Sequence, residues 1–193
     1  MDKKKTLLII ILVLVLLIGG ASILYNRLGE DFAPDQLAVS ETQPPEATGT
    51  EPARVQAPDF TVYDIDVNEV KLSDYFGKPI VVNFWASWCG PCKMEMPDFN
   101  EKYQQLGEEV QFLMVNMTDG SSETVESASS FIAGQGYVFP VLYDTASSAA
   151  YTYGVYSLPT TYFIDADGYA VAQATGAIDG DTLQRGIDMI YKP

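Results

Sequence analysis

The sequence predicts an α/β domain built on a mixed β-sheet with helices flanking it, and three observations carry that prediction. Residues 80–85, Ile-Val-Val-Asn-Phe-Trp, form a nearly continuous apolar, β-branched run, the pattern of a strand buried on both faces. Strand-like and helix-like stretches alternate from about residue 60 to residue 190. Asp167-Gly168, set between two apolar stretches, is a tight-turn signal that makes the flanking strands an antiparallel hairpin.

The elements follow in order. Residues 60–63 read as a short strand, and residues 70–75 lead into a turn at Gly77-Lys78-Pro79. After the central strand 80–85, residues 93–106 read as a helix closed by Gly107, and residues 110–115 as a second central strand. Residues 122–133 suit a helix that starts on Ser121-Ser122-Glu123 and stops at Gly134 and Gly136. A strand at 138–143, a short helix at 146–153 and a strand at 160–165 come next. The hairpin partner covers 169–175, and Gly180-Asp181 opens a final helix through Ile190.

Ahead of this domain the chain has a different character. Residues 1–6 are a basic tip, and residues 7–24 are apolar, at the short end of the ~17–25 residues that span a bilayer as a helix. Lysines before the run and acidic residues after it predict a cytoplasmic N-terminus and an extracytoplasmic remainder. A cleaved signal peptide, with Gly19-Gly20-Ala21 as the small-residue site, is the alternative; we take the membrane anchor as the working reading. No cysteine follows the run, which excludes a lipoprotein anchor. Residues 25–57 hold Pro34, Pro44, Pro45 and Pro52 without apolar periodicity, so an extended, poorly ordered linker is expected, leaving 58–193 as the globular domain.

Composition removes several function classes. Of the 193 residues 47% are hydrophobic, enough for a core without structural disulfides. The formal charge is −15, and its basic residues up to Gly29 (Lys3, Lys4, Lys5, Arg27) leave the rest strongly acidic. Such a surface repels phosphate backbones, so nucleic acid is not an expected partner. The chain has no histidine, which removes Ser-His-Asp and Cys-His catalysis and most catalytic zinc and copper sites. No cofactor and no metal are expected.

The two cysteines, Cys89 and Cys92, stand two residues apart at the junction of the buried strand and a helix. A structural disulfide closing so short a loop would remove little unfolded-state entropy. A zinc knuckle lacks its other ligands. A redox pair fits: a thiol at a helix N-terminus faces the positive dipole end and free N–H groups, which favour thiolate and make Cys89 the nucleophile. Pro91 has no N–H to waste in a first turn. Cys92, one turn inside, is then the resolving thiol, and the chemistry is thiol-disulfide exchange.

Residues 82–92, Val-Asn-Phe-Trp-Ala-Ser-Trp-Cys-Gly-Pro-Cys, resemble the active-site strand and turn of the thioredoxin superfamily, and the N-terminal anchor narrows the resemblance to its TlpA/ResA type. The similarity runs from about Pro58 to the C-terminus and implies a thioredoxin-like fold. It implies that Pro97, which by propensity should end the helix, sits inside it as a kink. It also implies that Ser157-Leu158-Pro159-Thr160-Thr161 carries the family's cis-proline at Pro159, facing the active-site sulfur and presenting backbone to a substrate chain. Residues 115–138 correspond to the helix-bearing insertion that separates this group from minimal thioredoxins. Cytosolic thioredoxins have a buried aspartate where this chain has Asn83; an amide cannot take a proton, and Glu95, three residues after Cys92, is the expected substitute. The plainer alternative is a helix-face acid near an N-terminus.

The expected catalytic residues are therefore Cys89, Cys92, Glu95 and Pro159, with Trp88, Gly90, Pro91 and Leu158 contacting substrate. Trp88 reads as the rim on which partner proteins dock and Trp85 as core; the tyrosines at 143, 151, 153, 156 and 162 read as packing. The resemblance implies reduction of disulfides in exported proteins, for example apocytochrome c, with electrons from a thiol-transferring membrane protein. Rivals are weaker on the residues: a peroxiredoxin needs a Thr-containing loop absent here, a copper-delivering assembly factor needs a histidine, and a redox-inactive tether does not need both cysteines at a helix start.

Overall fold

The computed structural model describes residues 37–39 and 54–192. The basic tip 1–6 and the anchor expected at 7–24 lie outside them; among the described residues no helix is long and apolar enough to cross a membrane. The strands are β1 (Leu37–Val39), β2 (Val55–Gln56), β3 (Thr61–Tyr63), β4 (Glu69–Lys71), β5 (Ile80–Trp85), β6 (Gln111–Asn116), β7 (Val141–Tyr143), β8 (Thr160–Ile164) and β9 (Tyr169–Thr175). The helices are α1 (Gly90–Leu106), α2 (Val125–Gln135), α3 (Ser148–Thr152) and α4 (Gly180–Ile190), with a 3-10 turn at Leu72–Tyr75.

All nine described strands form one sheet in the order β1-β9-β8-β5-β6-β7-β3-β4, with β2 also on β9. β5 runs parallel to β6 and antiparallel to β8, and β6 is parallel to β7, so the sheet is mixed and β5 is central. All six residues of β5 are buried because the sheet is covered on both faces. Alternation sends Val81 and Trp85 into a core with Met96 and Phe99 of α1, Ala128 and Ile132 of α2, and Leu183 and Ile187 of α4. Ile80, Val82 and Phe84 enter the opposite core with Leu72, Leu142, Ala149 and Tyr153. The same alternation puts Asn83 on the α1 side, a polar residue in a run otherwise fit for a core.

The hairpin forms as expected. Asp165 Oδ1 accepts from the backbone N–H groups of Asp167 and Tyr169 at 3.0 Å each. Gly168 has φ +85, and a Cβ there would also come within 2.9 Å of the Phe76 ring, so the turn requires glycine twice over.

Four expectations are revised. Helix α1 starts at Gly90 rather than at Lys93, while its passage through Pro97 to Leu106 is as the family resemblance implied. Helix α2 starts at Val125 rather than Ser122: Asp119 Oδ1 accepts from the N–H groups of Ser121 and Glu123, winding these residues into a turn, and Thr124 caps the helix through Ser127. β7 begins at Val141 because the Val138 N–H is taken by Asn100 Oδ1 at 2.9 Å. Within the stretch expected to be linker, 25–57, β1 and β2 pair end to end along the outer edge of β9, Leu37 is buried, and Ala57 N–H donates to Gly168 at 2.9 Å. Arg54 pairs with Asp165 and lies 4.1 Å over the Tyr169 ring. The folded part therefore extends upstream of Pro58; three-residue strands carry too little periodicity to stand out in a sequence.

Candidate active site

The carboxyl end of β5 delivers Trp85 to the core and then turns: the Cys89 N–H donates to the Ala86 carbonyl at 3.1 Å, which closes the loop Ala86-Ser87-Trp88 and puts Cys89 at the N-cap of α1. Cys89 and Cys92 are joined as a disulfide with their Cα atoms 5.3 Å apart. The Cys92 N–H donates to Cys89 Sγ at 3.1 Å, so a free helix-end donor points at that sulfur. Cys89 keeps 4% of its surface exposed and Cys92 none, so an incoming sulfur reaches Cys89 first. Gly90 and Pro91 are exposed beside it, and Trp88 is 59% exposed.

The Leu158–Pro159 peptide is cis. Thr160 pairs with Phe84 and Thr161 with Asn83, so the register carries Pro159 to the level of Trp85, beside the root of the cysteine loop. The cis bond is the one the resemblance implied at this position. Leu158 is half-buried and packs against both cores.

Behind the disulfide, Glu95 is 1% exposed, one turn of α1 beyond Cys92 and on its face. Its Oε1 accepts from Asn83 Nδ2 at 2.8 Å and its Oε2 from the Ile178 N–H at 3.0 Å. Burial pushes the Glu95 carboxyl up to about 7, against the two hydrogen bonds that favour the charged form. A surface helix-face acid would have neither the burial nor the partners. Asn83 Nδ2 also meets Thr161 Oγ1 at 3.0 Å, while Asn83 Oδ1, fully buried, has no partner among the described residues.

Trp85 is fully buried and packs on Phe131, as expected of core. Tyr143 and Tyr153 are buried and Tyr162 donates to the Tyr153 carbonyl, whereas Tyr151 and Tyr156 face solvent. Sequence reasoning missed Ile178, whose backbone holds Glu95, and Glu123, which appeared only as part of a helix start. Neither gives a local signal, since one acts through its amide and the other reaches Ser87 across 36 residues.

This arrangement, an accessible sulfur at a helix end, a buried second sulfur and a buried carboxyl one turn behind, is suited to dithiol-disulfide exchange. The chain matches the AhpC/TSA family over residues 53–172. It is 37% identical over 132 residues to the thiol-disulfide oxidoreductase ResA of Bacillus thuringiensis (strain Al Hakam), covering 67% of this chain and 73% of that protein. The chain belongs to the ResA-type thiol-disulfide oxidoreductases of the AhpC/TSA family. A second ResA, from Geobacillus thermodenitrificans, is 36% identical over 137 residues, covering 69% and 75% of the two chains. Among solved structures, the exposed lipoprotein thioredoxin of Streptococcus pneumoniae superposes with a TM-score of 0.60 at 32% identity, covering 68% of this chain and 98% of that one. The family match thus covers the domain from β2 into β9, and the cysteine pair in it makes this chain a thiol-disulfide oxidoreductase.

Proposed function

We propose that this protein reduces disulfides of exported proteins, apocytochrome c among the fitting substrates, from a position outside the cytoplasm and tethered by residues 7–24. The observation that carries the reading is the buried Glu95 behind Cys92, because a resolving thiol that must attack inside the protein needs a proton acceptor there.

In the reduced enzyme the Cys89 thiolate attacks one sulfur of the substrate disulfide; that S–S bond breaks and the other substrate sulfur leaves as a thiolate. Trp88 and the backbone around Leu158-Pro159 hold the substrate chain while Gly90 and Pro91 shape the turn beneath it. Cys92 then gives its proton to the Glu95 carboxylate and attacks Cys89 Sγ, breaking the mixed disulfide and releasing the second substrate thiolate. The enzyme ends as the Cys89–Cys92 disulfide, two electrons poorer. A membrane thiol-transferring protein returns them by the same exchange. The Gly-Pro pair between the cysteines, as in reducing members of the superfamily, supports this direction.

Trapping tests the assignment. Cys92→Ala should accumulate mixed disulfides with exported proteins through Cys89, and Cys89→Ala should accumulate none, read on non-reducing gels of the membrane fraction. Equal trapping by both variants would overturn the roles given to the two sulfurs.

A further inference from the structure

The segment between β6 and α2 places a second buried carboxyl at the site, one that touches neither sulfur. Glu123 is 0% exposed. Its Oε1 accepts from the Ser87 N–H at 2.9 Å and from Asn116 Nδ2 at 2.7 Å, and its Oε2 meets Ser87 Oγ at 2.7 Å. Among the described residues no basic side chain lies within ion-pair distance of it. Ser87 is the middle residue of the loop that joins β5 to Cys89, and the next residue is the exposed Trp88.

The rest of the segment is built to deliver this side chain. Asp119 Oδ1 holds the Glu123 N–H at 3.0 Å, and the Glu123 carbonyl accepts from Gly120 N–H at 2.9 Å, so the Glu123 backbone is fixed at both ends. Asn116, which shares the carboxyl, is itself fixed: its Oδ1 accepts from Thr118 Oγ1 at 2.7 Å and its carbonyl from Asp144 N–H at 2.9 Å. On the other side, Trp85 is anchored in the core and its carbonyl accepts from Met117 N–H at 2.9 Å. Trp88 itself, more than half in solvent, has no comparable hold. A bulky side chain on a short loop presents a defined docking face only if the loop backbone is held, and burying a carboxyl with three donors is costly unless those bonds are made.

We propose that Glu123 is a positioning residue for partner docking: by clamping Ser87 it fixes the loop that presents Trp88 to protein substrates, and so couples the inserted segment to the rim of the active site. This rests on the reading of Trp88 as a docking rim. The clamp works by hydrogen bonding rather than charge. A glutamine at the same place satisfies all three partners, its oxygen accepting the two N–H groups and its amide donating to Ser87 Oγ. A methionine of similar length satisfies none.

The test uses the full chain labelled with 5-fluorotryptophan, since the protein has only two tryptophans and each gives one 19F signal. The enzyme is first reduced with dithiothreitol and freed of it, and the initial rate of its oxidation is measured against varied insulin as protein substrate and against oxidised glutathione as a small disulfide that needs no docking rim. Glu123→Met and Ser87→Ala should broaden or split the Trp88 signal and raise KM for insulin about fivefold or more, with glutathione rates unchanged. Glu123→Gln should restore the wild-type signal and KM, and Ile132→Val, which weakens packing of the same inserted helix, should change neither. Should Glu123→Met not fold, Ser87→Ala alone carries the comparison. The proposal is overturned if Ser87→Ala keeps a sharp Trp88 signal and wild-type KM, if Glu123→Gln behaves like Glu123→Met, or if insulin and glutathione rates fall together. Failure of the wild-type protein to reduce glutathione would instead overturn the exchange activity itself.

Discussion

Asn83 Nδ2 donates to Glu95 Oε1 at 2.8 Å across the buried contact between β5 and α1, where cytosolic thioredoxins would have an aspartate in place of the asparagine. Here the buried carboxyl stands on the helix rather than the strand, and the strand residue is its hydrogen-bond donor. The fully buried Asn83 Oδ1 has no partner among the described residues.

A raised carboxyl pKa has a thermodynamic signature of definite sign. Glu95 titrates near 7 in the folded chain and near its ordinary value of 4.5 when unfolded, so between these the native state binds more protons and stability falls as pH rises. The upper bound on this loss is about 3 kcal/mol, from the free-energy equivalent of each pKa unit. Urea unfolding of wild type and Glu95→Gln between pH 4 and pH 8 should show the wild type losing stability relative to the variant through that window. Parallel curves would mean that Glu95 is not a buried titrating group.

Restoring the thioredoxin-like residue should make matters worse rather than better. In Asn83→Asp a second carboxyl faces Glu95 at hydrogen-bond distance, and like charges cannot both ionise cheaply there. The pair should share one proton over neutral pH, and the pH midpoint for exchange should move up by at least about one unit. An unchanged midpoint would show that Asn83 and Glu95 do not communicate.

The upstream strands should add stability without being needed for chemistry. A chain starting at residue 36 retains β1, β2, buried Leu37 and the Arg54–Asp165 pair, whereas one starting at Pro58 loses them all. Leu37 alone is worth about 2 kcal/mol by its buried apolar surface. The shorter chain should unfold at lower urea yet still reduce insulin, since Cys89, Glu95 and Pro159 keep their contacts. Identical urea midpoints would show that β1 and β2 contribute nothing, and loss of activity would place them in the site.

What could be read from the sequence was what is written locally. The Cys89–Cys92 spacing, the apolar β5 and the Asp167-Gly168 turn are each contained in a few consecutive residues, and the structure has them where they were expected. Glu95 was reachable because it lies on the cysteines' own helix. Its second partner, Ile178, is 83 residues away and contributes only an N–H, and Glu123 reaches Ser87 across 36 residues. Side-chain type says nothing of such pairings. The start of α2 was misplaced for a related reason: Ser, Ser and Glu suit both a capped helix and a turn, and Asp119 decides between them from outside the window.

Where the Cys92 proton goes is measured most directly by the rate of the resolving step against pH. A mixed disulfide is prepared on Cys89 with a small aromatic thiol, and release of that thiol is followed by stopped flow from pH 5 to pH 9 in wild type and Glu95→Gln. The wild-type rate should rise through about pH 7 as Glu95 loses its proton. The variant should lose that step and be slower by about 100-fold near neutrality, the usual worth of a placed general base. Superimposable profiles would contradict the assignment and leave Glu95 a structural acid beside the disulfide.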